Sequence, residues 1–101
     1  MEFTESKPFT KWVVDKMDDD EYRALQSFLA ERPESGNLIR GGGGIRKIRW
    51  KKRGSGKRGG VRLIYYWDGD WSITLLVGYR KGVKDNLSPR ELAALRKIIK
   101  G

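Results

Sequence analysis

The chain holds neither histidine nor cysteine, so lysine, arginine, tyrosine and carboxylates are left to do any chemistry. A Ser–His triad, a histidine acid–base pair and a His or Cys metal site are excluded. Cations dominate what remains. The formal net charge is +9. Ten of the 22 Lys and Arg residues lie between Glu34 and Asp68, and that window contains no Asp or Glu. Two β-patterned runs sit inside it: Ile45-Arg46-Lys47-Ile48-Arg49-Trp50 and Val61-Arg62-Leu63-Ile64-Tyr65-Tyr66-Trp67. They flank a basic, glycine-rich segment from Lys51 to Gly60. A positive field concentrated on a hairpin, with aromatic residues among the cations, is the footprint of a phosphate-backbone partner. Arg46, Lys51, Lys52, Lys57 and Arg58 are the candidate contacts to a nucleic-acid backbone.

Alternation sharpens the picture. Ile48 and Trp50 share one face of the first strand, and Lys47, Arg49 and Lys51 share the other. On the second strand Val61, Leu63, Tyr65 and Trp67 oppose Arg62, Ile64 and Tyr66. Cations on ordered sheet positions repel one another, and a bound phosphate relieves that repulsion. A solvated charged loop is the bland alternative, and it does not explain charge that continues onto the strand faces. Gly54-Ser55-Gly56-Lys57-Arg58-Gly59 matches the letters of a dinucleotide fingerprint. That motif must lead from a strand into a helix, and here it joins two strands. A phosphate-binding P-loop fails too, because Arg58 follows Lys57 and Lys51 replaces the first glycine.

The elements that must position these residues follow from periodicity and caps. Met1–Glu5 reads as a short edge strand. Phe9, Trp12, Val13 and Met17 recur at helical spacing, with Ser6 as N-cap and Pro8 in the first turn. Asp18 caps a second helix with Glu21 three residues on, and Tyr22, Leu25, Phe28 and Leu29 form its apolar stripe. The two make a helical hairpin from about Pro8 to Arg32, closed by Pro33 and Gly36. Gly41–Gly44 is either a plain linker or a backbone built for close approach. Asp68-Gly69 suits a type I′ turn into a third, mostly apolar strand, Ser72–Tyr79. Ser88-Pro89-Arg90-Glu91 opens a last helix with a capping box, and Leu92, Leu95, Ile98 and Ile99 form its apolar stripe. The expected fold class is α+β. It has an N-terminal helical hairpin, an antiparallel three- to four-stranded sheet and a C-terminal helix. A chain of 101 residues reads as one domain, spanning 1–101. No stretch reaches the roughly 20 apolar residues of a membrane span, and no signal peptide opens the chain, so a soluble cytoplasmic protein is expected.

Gly43-Gly44-Ile45-Arg46-Lys47-Ile48-Arg49 together with Gly56-Lys57-Arg58-Gly59-Gly60-Val61-Arg62-Leu63-Ile64-Tyr65-Tyr66 strongly resembles HigB toxins. These belong to the RelE/ParE superfamily of type II toxin–antitoxin systems. Tyr79, Lys81, the Asp85–Leu87 stretch and the order of elements extend the resemblance over nearly the whole chain. It implies a RelE-like fold and a ribosome-dependent mRNA endoribonuclease that needs no cofactor or metal. It implies as partners ribosome-bound mRNA, rRNA and a HigA-like antitoxin with a helix-turn-helix. By motif position it implies Lys47, Arg49 and Arg62 as catalytic, joined by Tyr79 and Lys81. The chain departs from the pattern at Gly82 and Val83, and Asn86 and Leu87 stand near the place of a late catalytic tyrosine. A ParE-like inhibitor of DNA gyrase on the same fold is the alternative, as is a basic RNA- or DNA-binding module without activity.

The implied reaction does not need histidine. Attack by a 2′-hydroxyl needs a base, stabilisation of the pentacoordinate phosphorus and an acid at the departing 5′ oxygen. Arginine guanidinium groups hold non-bridging phosphate oxygens in a planar fork. A lysine serves as base where neighbouring cations make its proton easier to lose. The ribosome would align the 2′-hydroxyl for in-line attack, which isolated cations do not do.

Overall fold

The computed structural model describes residues 1–51, 60–69, 71–80, 82 and 86–100. Elements run β1 (Glu2–Glu5), α1 (Lys7–Lys16), α2 (Asp19–Glu31), β2 (Asn37–Leu38), β3 (Ile45–Trp50), β4 (Val61–Trp67), β5 (Ser72–Arg80) and α3 (Pro89–Lys100). The caps form as their residue types require. Ser6 Oγ accepts from Phe9 N–H at 3.1 Å, and Asp18 Oδ1 accepts from Glu21 N–H at 2.8 Å. Ser88 and Glu91 close a reciprocal box at the start of α3, with bonds of 2.8 and 3.1 Å.

The sheet has five strands in the order β1-β5-β4-β3-β2. It is mixed, because β1 pairs parallel with β5 while the other pairs are antiparallel. The expected meander is β3–β4–β5, and the N-terminal strand joins it. The fifth strand, β2, is an addition to that reading. Two residues are too few to show an alternating pattern, and Leu38 is exposed. The Gly41–Gly44 stretch makes the turn between β2 and β3. Gly44 has φ +107°, and a Cβ there would stand 2.9 Å from the Tyr66 ring. Close approach is therefore what Gly44 provides. At the other hairpin Asp68 keeps a negative φ while Gly69 takes +90°, so the expected type I′ turn does not form. Asp68 N–H instead donates to the Ser72 carbonyl at 3.3 Å, closing a longer loop.

Two apolar clusters lie on opposite faces of the sheet. One joins Phe9, Val13, Met17, Leu25 and Leu29 to Leu63, Tyr65, Ile73 and Leu75, with Ile48, Trp50 and Trp67 packed against it. The other joins Ile45, Ile64, Leu76 and Tyr79 to Leu95 of α3, with Tyr66, Val77, Leu87 and Leu92. The α1–α2 hairpin thus covers one face and α3 the other. Among the described residues no helix is long and apolar enough to cross a membrane.

Candidate nucleic-acid site

β3 is divided by its pleat. Ile48 and Trp50 enter the α1–α2 cluster, while Ile45 enters the α3 cluster. Lys47 and Arg49 share the parity of Ile45 and therefore face the α3 side. The antiparallel register sets Arg49 directly opposite Arg62. On the other flank of β4, Arg62 pairs with Tyr79. One line across three strands thus reads Arg49, Arg62, Tyr79. Directly opposed side chains stand about 5 Å apart at Cβ, and like charges so placed are destabilising. Lys47 stands on the same face two residues along β3, opposite Ile64. Its Nζ donates to Asn86 Oδ1 at 3.0 Å. Arg49 is exposed, Lys47 and Arg62 are half-buried, and Tyr79 is buried at 7% exposure.

Tyr79 reaches this row because of a β-bulge. Strict alternation from Ile73 and Leu75 would put residues 77 and 79 on the α1–α2 face. The register instead shifts between Ile64 and Tyr65, which pair with Val77 and Leu75. Leu76 is the inserted residue, and parity flips beyond it. Leu76, Val77 and Tyr79 all join the α3-side cluster. The bulge is pinned from the start of α1. Ser6 N–H donates to the Leu75 carbonyl at 3.0 Å, and Ser6 Oγ donates to the Leu76 carbonyl at 2.7 Å. One residue caps a helix and fixes the bulge that aims Tyr79.

The chain matches the family model of the RelE toxin of the RelE/RelB toxin–antitoxin system over residues 3–101. It belongs to the RelE toxin family. A solved structure of the E. coli toxin RelE, a double arginine-to-alanine mutant in the free state, is similar in fold at a TM-score of 0.56. That similarity covers 97% of this chain and 95% of the E. coli chain at 18% identity.

In this RelE-family chain the expected site residues divide into four groups. Lys47, Arg49, Arg62 and Tyr79 come together on the α3 face. Lys51 lies exposed just beyond β3, at the end of the sheet where that row sits. Arg46 is set apart. It has the parity of Ile48, and its Nη1 donates to the carbonyls of Glu34 and Gly36 at 3.0 and 2.8 Å. There it helps hold the α2–β2 connection, together with Tyr65. The Tyr65 hydroxyl accepts from Gly36 N–H at 2.9 Å and donates to the Pro33 carbonyl at 2.7 Å. Lys52, Lys57, Arg58 and Lys81 lie outside the described residues. Among the described residues no group of three or more His, Cys, Asp or Glu could hold a metal ion.

Sequence reasoning placed Asn86 near the position of a late catalytic tyrosine but not against Lys47, and no spacing in the sequence pointed to that contact. It also passed over a groove of about 410 Å³ beside α3. Ile39, Leu87 and Leu92 line it, and Arg40 and Arg96 add positive charge.

Proposed function

We propose that this RelE-family chain is a HigB-type toxin that cuts mRNA on the ribosome, and so acts in the cytoplasm. The observation that carries the reading is the line of Arg49, Arg62 and Tyr79 with Lys47 on the same face. Two guanidinium groups directly opposed on a sheet are complementary to the oxygens of a phosphodiester. In the proposed reaction the RNA 2′-oxygen attacks the adjacent phosphorus, and Lys47 takes the hydroxyl proton. Arg49 and Arg62 hold the non-bridging oxygens as charge builds on them. The bond from phosphorus to the 5′ oxygen breaks, leaving a 2′,3′-cyclic phosphate and a 5′ oxygen that takes up a proton. Tyr79 supports the guanidinium row from β5. Ribosome and mRNA supply the alignment of the 2′-hydroxyl.

A toxin of this kind pairs with an antitoxin, here proposed to be HigA-like. The strong positive charge favours an acidic or amphipathic antitoxin segment that masks the Lys47–Arg62 face. The groove between Ile39 and Leu92, rimmed by Arg40 and Arg96, offers apolar contact and positive charge close to that face.

Single-turnover cleavage on programmed ribosomes tests the reading. Removing one positioned donor to a transition state typically costs about 10²–10³ in rate. Arg62→Ala is expected to lose about that factor while keeping its melting temperature and most of its ribosome affinity. Lys52→Ala is expected to weaken binding and keep the rate at saturation. Wild-type cleavage by bound Arg62→Ala would refute the site. Gyrase inhibition without mRNA cleavage would replace the reading with a ParE-like one.

A further inference from the structure

The contact between Lys47 and Asn86 joins residues 39 apart in sequence, so the fold makes it. Asn86 stands in the connection that leads into α3, and its downstream side is held twice. Leu87 packs into the α3-side cluster beside Leu92. Ser88 and Glu91 lock the first turn of the helix through their reciprocal bonds. The carboxamide of Asn86 is thereby delivered to the face of β3 that carries Lys47 and Arg49. A lysine ammonium on its flexible four-carbon stem has no preferred place on an open surface. An acceptor fixed from a neighbouring element gives it one.

The chemistry of the acceptor is selective. A carboxylate at this point would pair with the ammonium and favour its charged form, which opposes use of the amine as a base. A carboxamide oxygen orients the amine without adding a charge. A hydrogen bond between exposed groups also contributes little to folding, so stability gives no strong reason for the pair.

We propose that Asn86 is a positioning residue that holds the Lys47 amine beside the Arg49–Arg62–Tyr79 row. The inference rests on the reading of Lys47 as the catalytic base. It assigns the start of α3 a part in the reaction: the helix cap sets where Asn86 stands, and Asn86 sets where the amine stands.

A double-mutant cycle measured by single-turnover cleavage on mRNA-programmed ribosomes tests it, with ribosome affinity and melting temperature measured beside the rate. Asn86→Ala is expected to lower the rate at saturating ribosomes about tenfold, within the usual coupling of contacting residues, with affinity and melting temperature unchanged. In the Lys47→Ala background the same substitution is expected to cost nothing more. A purely structural role would lower the melting temperature and add its cost in both backgrounds, and that result overturns the proposal. An unchanged rate for Asn86→Ala while Lys47→Ala is impaired overturns it too, and leaves the assignment of Lys47 standing. A wild-type rate for Lys47→Ala removes that assignment and this inference together.

Discussion

Arg46 and Arg49 are three residues apart on one strand and face opposite ways. Arg46 turns toward the α1–α2 side and spends its guanidinium on two backbone carbonyls. Arg49 turns toward the α3 side, stays exposed and opposes Arg62. The same contrast holds for the two faces as wholes. On the α1–α2 face, β3 and β4 bury Ile48, Trp50, Leu63 and Tyr65 under a two-helix layer. On the other face one helix covers Ile45, Ile64 and Leu76, and the Arg49–Arg62 end remains cationic. Charge divides in the same sense. Residues 1–34 carry five Lys and Arg against nine Asp and Glu, a net −4. Residues 35–101 carry 17 against four, a net +13. A polyanion would be repelled by the acidic N-terminal region and attracted by the sheet, so the charge distribution favours the cationic face as the one proposed to meet RNA. One face is given to stability, and the other is the one proposed to bind a phosphate.

The widest separation is expected from the two arginines themselves. Arg49→Ala should lower single-turnover cleavage by about 10²-fold or more and leave the melting temperature close to wild type. Arg46→Ala should do the reverse. It removes one exposed and one part-buried bond to the Glu34 and Gly36 carbonyls, which costs about 1 kcal/mol of stability, and the rate per folded molecule stays within a few-fold. Urea unfolding beside the cleavage assay reads both. If Arg46→Ala abolishes cleavage in a folded protein, the division between the faces is wrong.

Gly78→Ala probes the packed face next. Trp12 of α1 lies so close over β5 that a Cβ at residue 78 would stand 2.4 Å from its ring carbons. The ring must move, and overpacking of this kind typically costs about 1–3 kcal/mol. Urea unfolding is expected to show that loss, with cleavage retained at temperatures where the variant is folded. An unchanged midpoint would mean that Trp12 does not seal this face.

Much of this was legible before the structure. Helix caps are local chemistry, so Ser6, Asp18 and the Ser88–Glu91 box could be read from residue type and spacing. Strand parity is local as well, and it placed Lys47, Arg49 and Arg62 on one face. Parity also carried the signal that separates Arg46 from them, since it shares the face of Ile48 and Trp50. Reading charge density alone grouped it with the RNA contacts. What stayed hidden is set by pairing between distant segments. Nothing in Leu75-Leu76-Val77 announces a bulge, because every residue there is apolar and suits either face. The bulge exists because Tyr65 pairs with Leu75 and Ser6 takes up the Leu76 carbonyl. Without it Tyr79 would face Trp12 and not Arg62. β2 was hidden by its length, and Asn86 by its distance in sequence from Lys47.

The smallest expected effect lies where the acidic region is stitched together. Glu5 on β1 accepts from Tyr22 Oη through one oxygen and from Thr10 Oγ1 at 2.7 Å through the other. Three elements, β1, α1 and α2, thus meet at one carboxylate, on the part of the chain with net negative charge. Burial raises the Tyr22 hydroxyl above its ordinary value near 10, and the hydrogen bond to Glu5 and its negative charge add to the rise. The folded chain therefore holds this proton more tightly than the unfolded chain does. The stabilising share is whole below pH about 10, and it shrinks as pH climbs from there toward the raised folded value. Tyr22→Phe removes the hydrogen bond and the titration together. It should cost about 1 kcal/mol at pH 8, the modest yield of a partly exposed bond. By pH 11 the unfolded wild-type tyrosine is largely ionised, so the gap between wild type and Tyr22→Phe should have narrowed. Urea unfolding of both proteins at the two pH values measures it. A gap that is the same at pH 8 and pH 11 would show that the folded chain does not hold the Tyr22 proton more tightly than the unfolded chain. Single-turnover cleavage by Tyr22→Phe at pH 8 should match wild type, because the bond belongs to the packed, acidic side and not to the face proposed to meet the phosphate.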